Sequence, residues 1–233
     1  MKEPNQQAIG QMFSGIAYRY DFLNHLLSFG LDKGWRRRAI RLLKIKPNSN
    51  ILDIATGTAD LAIESTSQNP TCKITGIDIS DKMLELGRKK ISKLGLSKNI
   101  LLKNVAAEDL TEFENGQFDY AMVAFGVRNF SDRNKGLSEI WRVIKPGGKF
   151  LILEFSTPGS ILFGPLYNFY FTKVLPRVGG LLSNKAVYQY LPNSVLGFPN
   201  PKRFSELLKE TGYRKVDTTT FALGALTCYI AEK

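Results

Sequence analysis

The chain has 233 residues, 43% of them hydrophobic, with 32 Lys and Arg against 21 Asp and Glu for a formal charge of +11. That length buries one good core and suits a single α/β domain, while the surplus of cations calls for an anionic partner or surface. Two cysteines, Cys72 and Cys228, without a CxxC pair exclude a disulfide framework and a zinc site, and no apolar run is long enough to span a bilayer.

Met1 to Gln11 is polar and lacks the apolar stretch of a signal peptide or anchor, so a cytoplasmic setting is expected. Residues up to about Leu43 read as helical, with Phe13, Ile16, Tyr20, Leu23, Leu26 and Leu27 at mixed three-and-four spacing and Gly30 as an interruption. Lys33, Arg36, Arg37, Arg38, Arg41, Lys44 and Lys46 then follow with no acid among them. On a helix, Lys33, Arg37, Arg41 and Lys44 share one side, and Trp35, Ala39, Leu42 and Leu43 fall largely on another. A solvated face and a surface for anionic lipid or nucleic acid both fit this pattern.

Pro47 to Asn50 is a turn, after which strands and helices alternate: strand 50–55, helix near 60–66, strand 73–78, helix 81–92, strands 99–104 and 118–124, helix 133–144, strand 148–155. This is the pattern of a parallel α/β sheet. Ser80 is placed to cap the helix from 81, whose apolar positions Met83, Leu84, Gly87 and Ile91 share a face; Lys89, Lys90 and Lys93 read as solvated. Between Ser156 and Gly197 the regularity lapses into a stretch holding Phe163, Tyr167, Phe169, Tyr170, Phe171, Tyr188 and Tyr190. A helical insertion packed on the core and a lid over an apolar substrate are both compatible with it. A helix near 200–211 and two strands near 213–220 and 224–231, read as an antiparallel edge pair, close the chain. The expected organisation is one domain: a helical cap at 1–46, a core at 47–155, an insertion at 156–198 and a terminal helix and strand pair at 199–233.

The first strand runs into the small-residue turn Asp53-Ile-Ala-Thr-Gly-Thr-Ala-Asp60, and the second ends in Asp78. A buried strand, a turn open to a ligand and a second acid placed for ribose hydroxyls describe a nucleoside-cofactor pocket. A dinucleotide would set its pyrophosphate against Asp53 and Asp60, whose charge repels it; the cationic S-adenosylmethionine suits them better. Of the glycine places in the pattern acid-x-Gly-x-Gly-x-Gly only Gly57 is kept, between Ala55 and Ala59, so the turn alone also fits any doubly wound domain. Ligands of such sheets lie beyond the carboxyl ends of the strands, which gathers Ala55 to Asp60, Asp78 to Ser80, Ala106 to Asp109 and Ala124 to Phe130 around one crevice. Arg128 and Asn129 directly follow a buried strand, where two donors address a substrate oxygen and Asp132 orients them. A capped turn with Arg128 in a structural ion pair fits the same residues. His25 is the only histidine and reads as structural, which leaves little room for a histidine-based metal site or a Ser-His-Asp triad. No Pro-Cys context and no Asn-Pro-Pro-aromatic tetrapeptide is present, which argues against pyrimidine and adenine methylation and leaves the carbon of an electron-rich ring open.

Several further segments carry a resemblance over nearly the whole chain. Tyr20-Asp-Phe-Leu-Asn24 with Ser28-Phe-Gly30 and Trp35-Arg36, the Asp53 to Asp60 turn, Gly126-Val-Arg-Asn-Phe130, Arg142 to Gly148, Leu153-Glu-Phe-Ser156, and Tyr190-Leu-Pro-Asn-Ser-Val195 with Phe198-Pro199 resemble, in order, the menaquinone and ubiquinone biosynthesis C-methyltransferases. The resemblance implies a seven-stranded, Rossmann-like fold in which S-adenosylmethionine methylates a ring carbon of a prenylated quinol, demethylmenaquinol foremost. It implies cofactor contacts from Thr58 and Asp78 with Asp53, Ala55, Gly57, Asp60 and Ile79 beside them, and a rim of Ala106, Ala107, Glu108 and Ala124. Ala106-Ala107 stands where the family often has Asn-Ala, and Ala124 where some members have serine. Arg128, Asn129, Asp132 and Tyr20 fall on the catalytic side. No metal and no nucleic-acid partner are implied; a peripheral membrane surface is, and a homodimer is compatible.

Overall fold

The computed structural model describes residues 6–28, 30–157 and 185–233; the side chains of residues 19, 20, 22–24, 26, 27, 185–189 and 191 lie outside that description. Phe163, Tyr167, Phe169, Tyr170 and Phe171, with the Tyr20 and Tyr188 side chains, therefore lie outside the described residues.

Two helices, α1 (Gln6–Leu27) and α2 (Leu31–Leu43), precede the sheet. Its strands are β1 (Asn50–Ile54), β2 (Lys73–Asp78), β3 (Ile100–Asn104), β4 (Phe118–Ala124), β5 (Ile144–Phe155), β6 (Lys215–Phe221) and β7 (Leu226–Glu232). The interleaved helices are α3 (Asp60–Gln68), α4 (Asp81–Lys93), α5 (Arg133–Val143), α6 (Lys185–Leu196) and α7 (Pro201–Thr211). The seven strands lie in the order β3-β2-β1-β4-β5-β7-β6. The pairs from β3 to β5 are parallel, and β7 runs antiparallel to both β5 and β6.

Both sheet faces are covered, which is why the central strands read as nearly continuous apolar runs. Leu52, Ile54, Val123 and Ile152 pack beneath α5 and α7 with Leu137, Ile140, Phe204 and Leu208. On the other face Ile51, Ile74, Met122 and Leu151 meet Ala39, Ile40 and Leu43 of α2, Leu61 of α3 and Leu84 of α4. Each fully buried Ile or Leu contributes roughly 1.5–3 kcal/mol. Ser80 caps α4 by accepting from the Met83 N–H, and the buried residues of that helix are Met83, Leu84, Gly87 and Ile91, as its sequence pattern requires.

The terminal strands form an antiparallel pair at one end of the sheet, as expected, with β7 next to β5 and β6 at the edge. One element differs from the sequence expectation. β5 begins at Ile144, where it pairs with Phe118 before Pro146-Gly147-Gly148 shifts its register to Tyr120↔Lys149. The turn residues thus form an irregularity inside the strand and do not precede it.

Candidate active site

The strand order reverses direction between β1 and β4, since β1 leads outward to β2 and β3 while β4 leads to β5. A crevice opens at such a switch point. Here it is a cleft lined by the segments that leave the carboxyl ends of the first four strands. Its floor is Ala55 and Gly57 after β1, and Asp78 and Ile79 after β2. Val105, Ala107 and Glu108 after β3 and the segment from Ala124 to Phe130 after β4 form the walls, and Gln6, Ile9 and Phe13 of α1 close it from above. A broader polar groove continues outward past Ile79, Ala106 and Glu108.

The turn after β1 carries a conformational signature. Ala55, Gly57 and Ala59 have φ of 50°, 55° and 68°, all in the left-handed region. These are the three places that the generic pattern reserves for glycine, because a Cβ is strained there. This chain keeps two alanines and their strain. The turn also packs tightly across the switch point: a Cβ on Gly126 would lie 2.7 Å from the Ala55 Cβ and 2.8 Å from Val123 Cγ2.

Asp78 is the acid best placed for a ligand. Its Oδ2 accepts from the Gly57 N–H and its Oδ1 from the Ser80 N–H, both at 2.9 Å, which fixes an acceptor-only group on the cleft floor. Burial raises its pKa against the lowering effect of these backbone donors. Glu108, the other acid on the wall, anchors the segment leading into α5: its Oε1 accepts from the Ser131 N–H at 2.6 Å and the Ser131 hydroxyl at 2.9 Å. Gln6 of α1 reaches its Oε2 at 3.4 Å.

Other expected cofactor residues do not face the cleft. Asp53 alternates away from Leu52 and Ile54 onto the α3 side of β1, where it accepts from the Thr56 hydroxyl at 2.5 Å and the Ala62 N–H. Burial, and secondarily the charges of Asp78 and Asp60, push its pKa up to about 7. Asp60 is neutralised by Arg36 at 3.1 Å and Lys90 at 2.7 Å. The Thr58 hydroxyl donates to Asp21 at 2.6 Å and accepts from Lys90 at 2.9 Å. Repulsion of a pyrophosphate by Asp53 and Asp60 is therefore not what this pocket enforces, because neither carboxylate points into it.

Thr58 and Asp60 belong instead to a network that fastens α1 over the cleft. Lys90 bridges Asp60 to Asp21 of α1, and Arg36 links Asp60 to Asp32, which accepts from His25 of α1 at 2.9 Å. Burial alone would raise the Asp32 pKa, but the His25 bond and the Arg36 charge hold it below its ordinary value. His25 is structural, as expected. Lys90 is a correction to the sequence reading, since it is half-buried and paired and does not sit free in solvent.

On the wall that follows β4, the chain makes a single 3-10 turn (Val127–Asn129). Asn129 lines the cleft. Arg128 turns inward: its Nη1 donates to the Phe125 carbonyl at 2.5 Å and to Glu154 Oε1 at 2.7 Å, while Glu154 Oε2 also accepts the Arg128 backbone N–H. The Glu154 side chain is 0% exposed and that of Arg128 5%, so this is a buried ion pair, and removing one partner would strand the other charge. Asp132 does not orient Arg128 or Asn129; it caps α5 by accepting from the Lys135 N–H. The helix start takes that carboxylate because Asp132 has the extended backbone of an N-cap.

Glu154 and Tyr190 enter the site through their partners, although Glu154 had no expected role and Tyr190 was expected only as one of the aromatics of the insertion. An acid within the apolar run Phe150 to Phe155 was the available signal for Glu154. The Tyr190 hydroxyl donates to Asn129 Oδ1 at 3.0 Å, a pairing across 61 residues that no local pattern announces. Among the described residues no group of three or more His, Cys, Asp or Glu side chains could hold a metal ion.

The profile of the ubiE/COQ5 methyltransferase family matches residues 1–233. This chain belongs to that family. It is 46% identical to the ubiquinone/menaquinone biosynthesis C-methyltransferase UbiE of Geotalea daltonii, over 97% of each chain. It is 43% identical to the demethylmenaquinone methyltransferase of Deinococcus radiodurans, over 97% of this chain and 93% of the relative. The fold is that of a Thermotoga maritima SAM-dependent methyltransferase, a possible histamine N-methyltransferase, at a TM-score of 0.68 and 19% identity over 96% and 99% of the two chains. Within this family the chain is a C-methyltransferase with S-adenosylmethionine as methyl donor.

Proposed function

We propose that this protein methylates a ring carbon of a prenylated quinol, with demethylmenaquinol as acceptor and menaquinol as product. The observation that carries the substrate side is the 3-10 turn after β4, which sets Asn129 on the cleft wall with the Arg128–Glu154 pair directly behind it. The acceptor-only Asp78 fits two adjacent ribose hydroxyls, and the left-handed turn at Ala55 to Ala59 gives room for close backbone approach. When bound, S-adenosylmethionine supplies an electrophilic methyl group on a cationic sulfur.

The residues on the other side of the cleft then prepare the acceptor. A phenol-like hydroxyl has a pKa of about 10, so ring carbon nucleophilicity rises with whatever stabilises the developing quinolate. Asn129 donates an amide N–H to that oxygen. Arg128 keeps the turn in place by binding the Phe125 carbonyl and Glu154, a supporting role in place of direct contact. Phe13, Phe125 and Phe130 line the apolar part of the cleft. The whole chain works as one domain, with residues 1–46 as cap and 156–198 on the substrate side. Tyr20 is assigned to the substrate side with them.

The acceptor's tail places the reaction at a membrane, since each CH₂ drawn from the bilayer costs about 0.8 kcal/mol. No helix among the described residues is long and apolar enough to cross one, and the contact proposed is a peripheral one. The test is direct. Labelled S-adenosylmethionine is incubated with reduced, short-prenyl demethylmenaquinone or with the corresponding demethylated benzoquinol, and product label is located on ring carbon. Asn129→Ala should lower kcat about 100-fold while cofactor affinity stays within about twofold. Failure to methylate either quinol, or full turnover by Asn129→Ala, would sink the proposal.

A further inference from the structure

Asn129 carries an ambiguity common to all primary amides: rotated by half a turn, it would present an acceptor where a donor is needed. Two neighbours settle its orientation. On one side stands the Phe125 carbonyl, 3.4 Å from Nδ2, which accepts and cannot donate. On the other, the Tyr190 hydroxyl lies 3.0 Å from Oδ1. The flipped amide would set two carbonyl oxygens against each other at Phe125 and lose the tyrosine donor. The bond to Tyr190 is the shorter of the two and carries most of this preference.

We infer that Tyr190 is a positioning residue that holds the Asn129 amide with a donor toward the methyl acceptor; this rests on the reading of Asn129 given above. Tyr190 comes from α6, within the 156–198 segment, which packs against the 3-10 turn, so a residue 61 positions along the chain sets the polarity of a group on the cleft wall. With Oδ1 engaged by Tyr190 and one N–H toward Phe125, the second Asn129 N–H is left for the cleft. Both partners of the amide belong to the protein itself, so the fold sets the donor and does not recruit it at the moment of reaction. The half-buried hydroxyl lies among Arg128, Arg133 and Glu154, and burial holds it protonated as a donor.

The experiment is a double-mutant cycle between Tyr190→Phe and Asn129→Ala, read as kcat and as KM for each substrate on the full chain. Tyr190→Phe removes one oxygen and keeps the ring, so packing is preserved. It should lower kcat about 10-fold, the worth of one hydrogen bond, with KM for S-adenosylmethionine within about twofold and the thermal midpoint lowered by no more than about 4 °C. In the Asn129→Ala background it should cost nothing further. Full turnover by Tyr190→Phe while Asn129→Ala is impaired overturns this inference and leaves the site reading intact. Additive losses overturn it too, because Tyr190 would then act without Asn129. An Asn129→Ala enzyme of normal kcat overturns the site reading itself, and this inference with it.

Discussion

Asp53 lies one residue before the end of β1 with its carboxyl group shut off from solvent, held by the Thr56 hydroxyl and the Ala62 N–H, with its Oδ1 lacking a partner. Its pKa rises from 3.8 to about 7 because burial disfavours the charge. Between those values the folded state keeps a proton that the unfolded chain has lost, so the stabilising contribution is complete below about pH 4 and is lost as pH rises through 7. The difference of about 3 pH units is on the order of 4 kcal/mol. Asp53→Asn should therefore raise the thermal midpoint by several degrees at pH 8.5 and leave it nearly unchanged at pH 4.5, measured by calorimetry in matched ionic strength. An equal shift at both pH values would show that Asp53 is not the titrating group. The same residue shows how far sequence reasoning reaches. Its identity as the first acid of the turn was legible, but which way it points depends on the pleat of β1, and that is set by which face α3 covers.

The element that decides the cleft is the close pairing of two turns across β1 and β4. Gly126 has an ordinary φ of −109°, so its need for glycine is one of space. Gly126→Ala drives a methyl into Ala55 and Val123, an overpacking that costs roughly 1–3 kcal/mol, and it should weaken S-adenosylmethionine binding by pushing the two turns apart. Adding Ala55→Gly removes one of the clashing methyls and relieves a left-handed alanine, and should recover part of both losses in denaturant unfolding and in calorimetric titration. No recovery would mean that Val123 alone sets the clash. At this scale most of the sequence reading held. The alternation of apolar strands with capped amphipathic helices specifies a parallel sheet, and the Ser80 cap and the buried face of α4 fell where the pattern put them. Which strand of the terminal pair takes the edge did not follow, because an antiparallel strand of the same alternation pairs equally well at an edge or between two neighbours.

The whole molecule carries its charge unevenly in function, whatever its total. Of the seven cations between Lys33 and Lys46, Arg36 is buried against Asp32 and Asp60, Arg37 pairs with Glu64, and Arg38 lies 4.7 Å over the Phe221 ring. Lys33 and Arg41 on α2, Lys44 at its C-cap and Lys46 beyond it remain as exposed cations. Each basic residue near an anionic bilayer is worth about 1 kcal/mol, so Lys33→Gln, Arg41→Gln and Lys44→Gln together should weaken binding to phosphatidylserine vesicles on the order of 100-fold. Flotation unchanged in the triple variant, or insensitive to anionic lipid, would remove this surface from the account. Sequence by itself determined the fold class and which turns meet at the ends of the strands, Asp53 to Asp60, Asp78 and Gly126 to Phe130, because backbone propensity, small-residue turns and apolar period are local properties of the chain. Only the tertiary structure decided that Asp53, Thr58 and Asp60 serve the scaffold, that Arg128 answers to Glu154, and that Tyr190 turns the amide of Asn129. Those assignments depend on which charge or donor is brought within hydrogen-bond reach from far along the chain, and packing alone settles that.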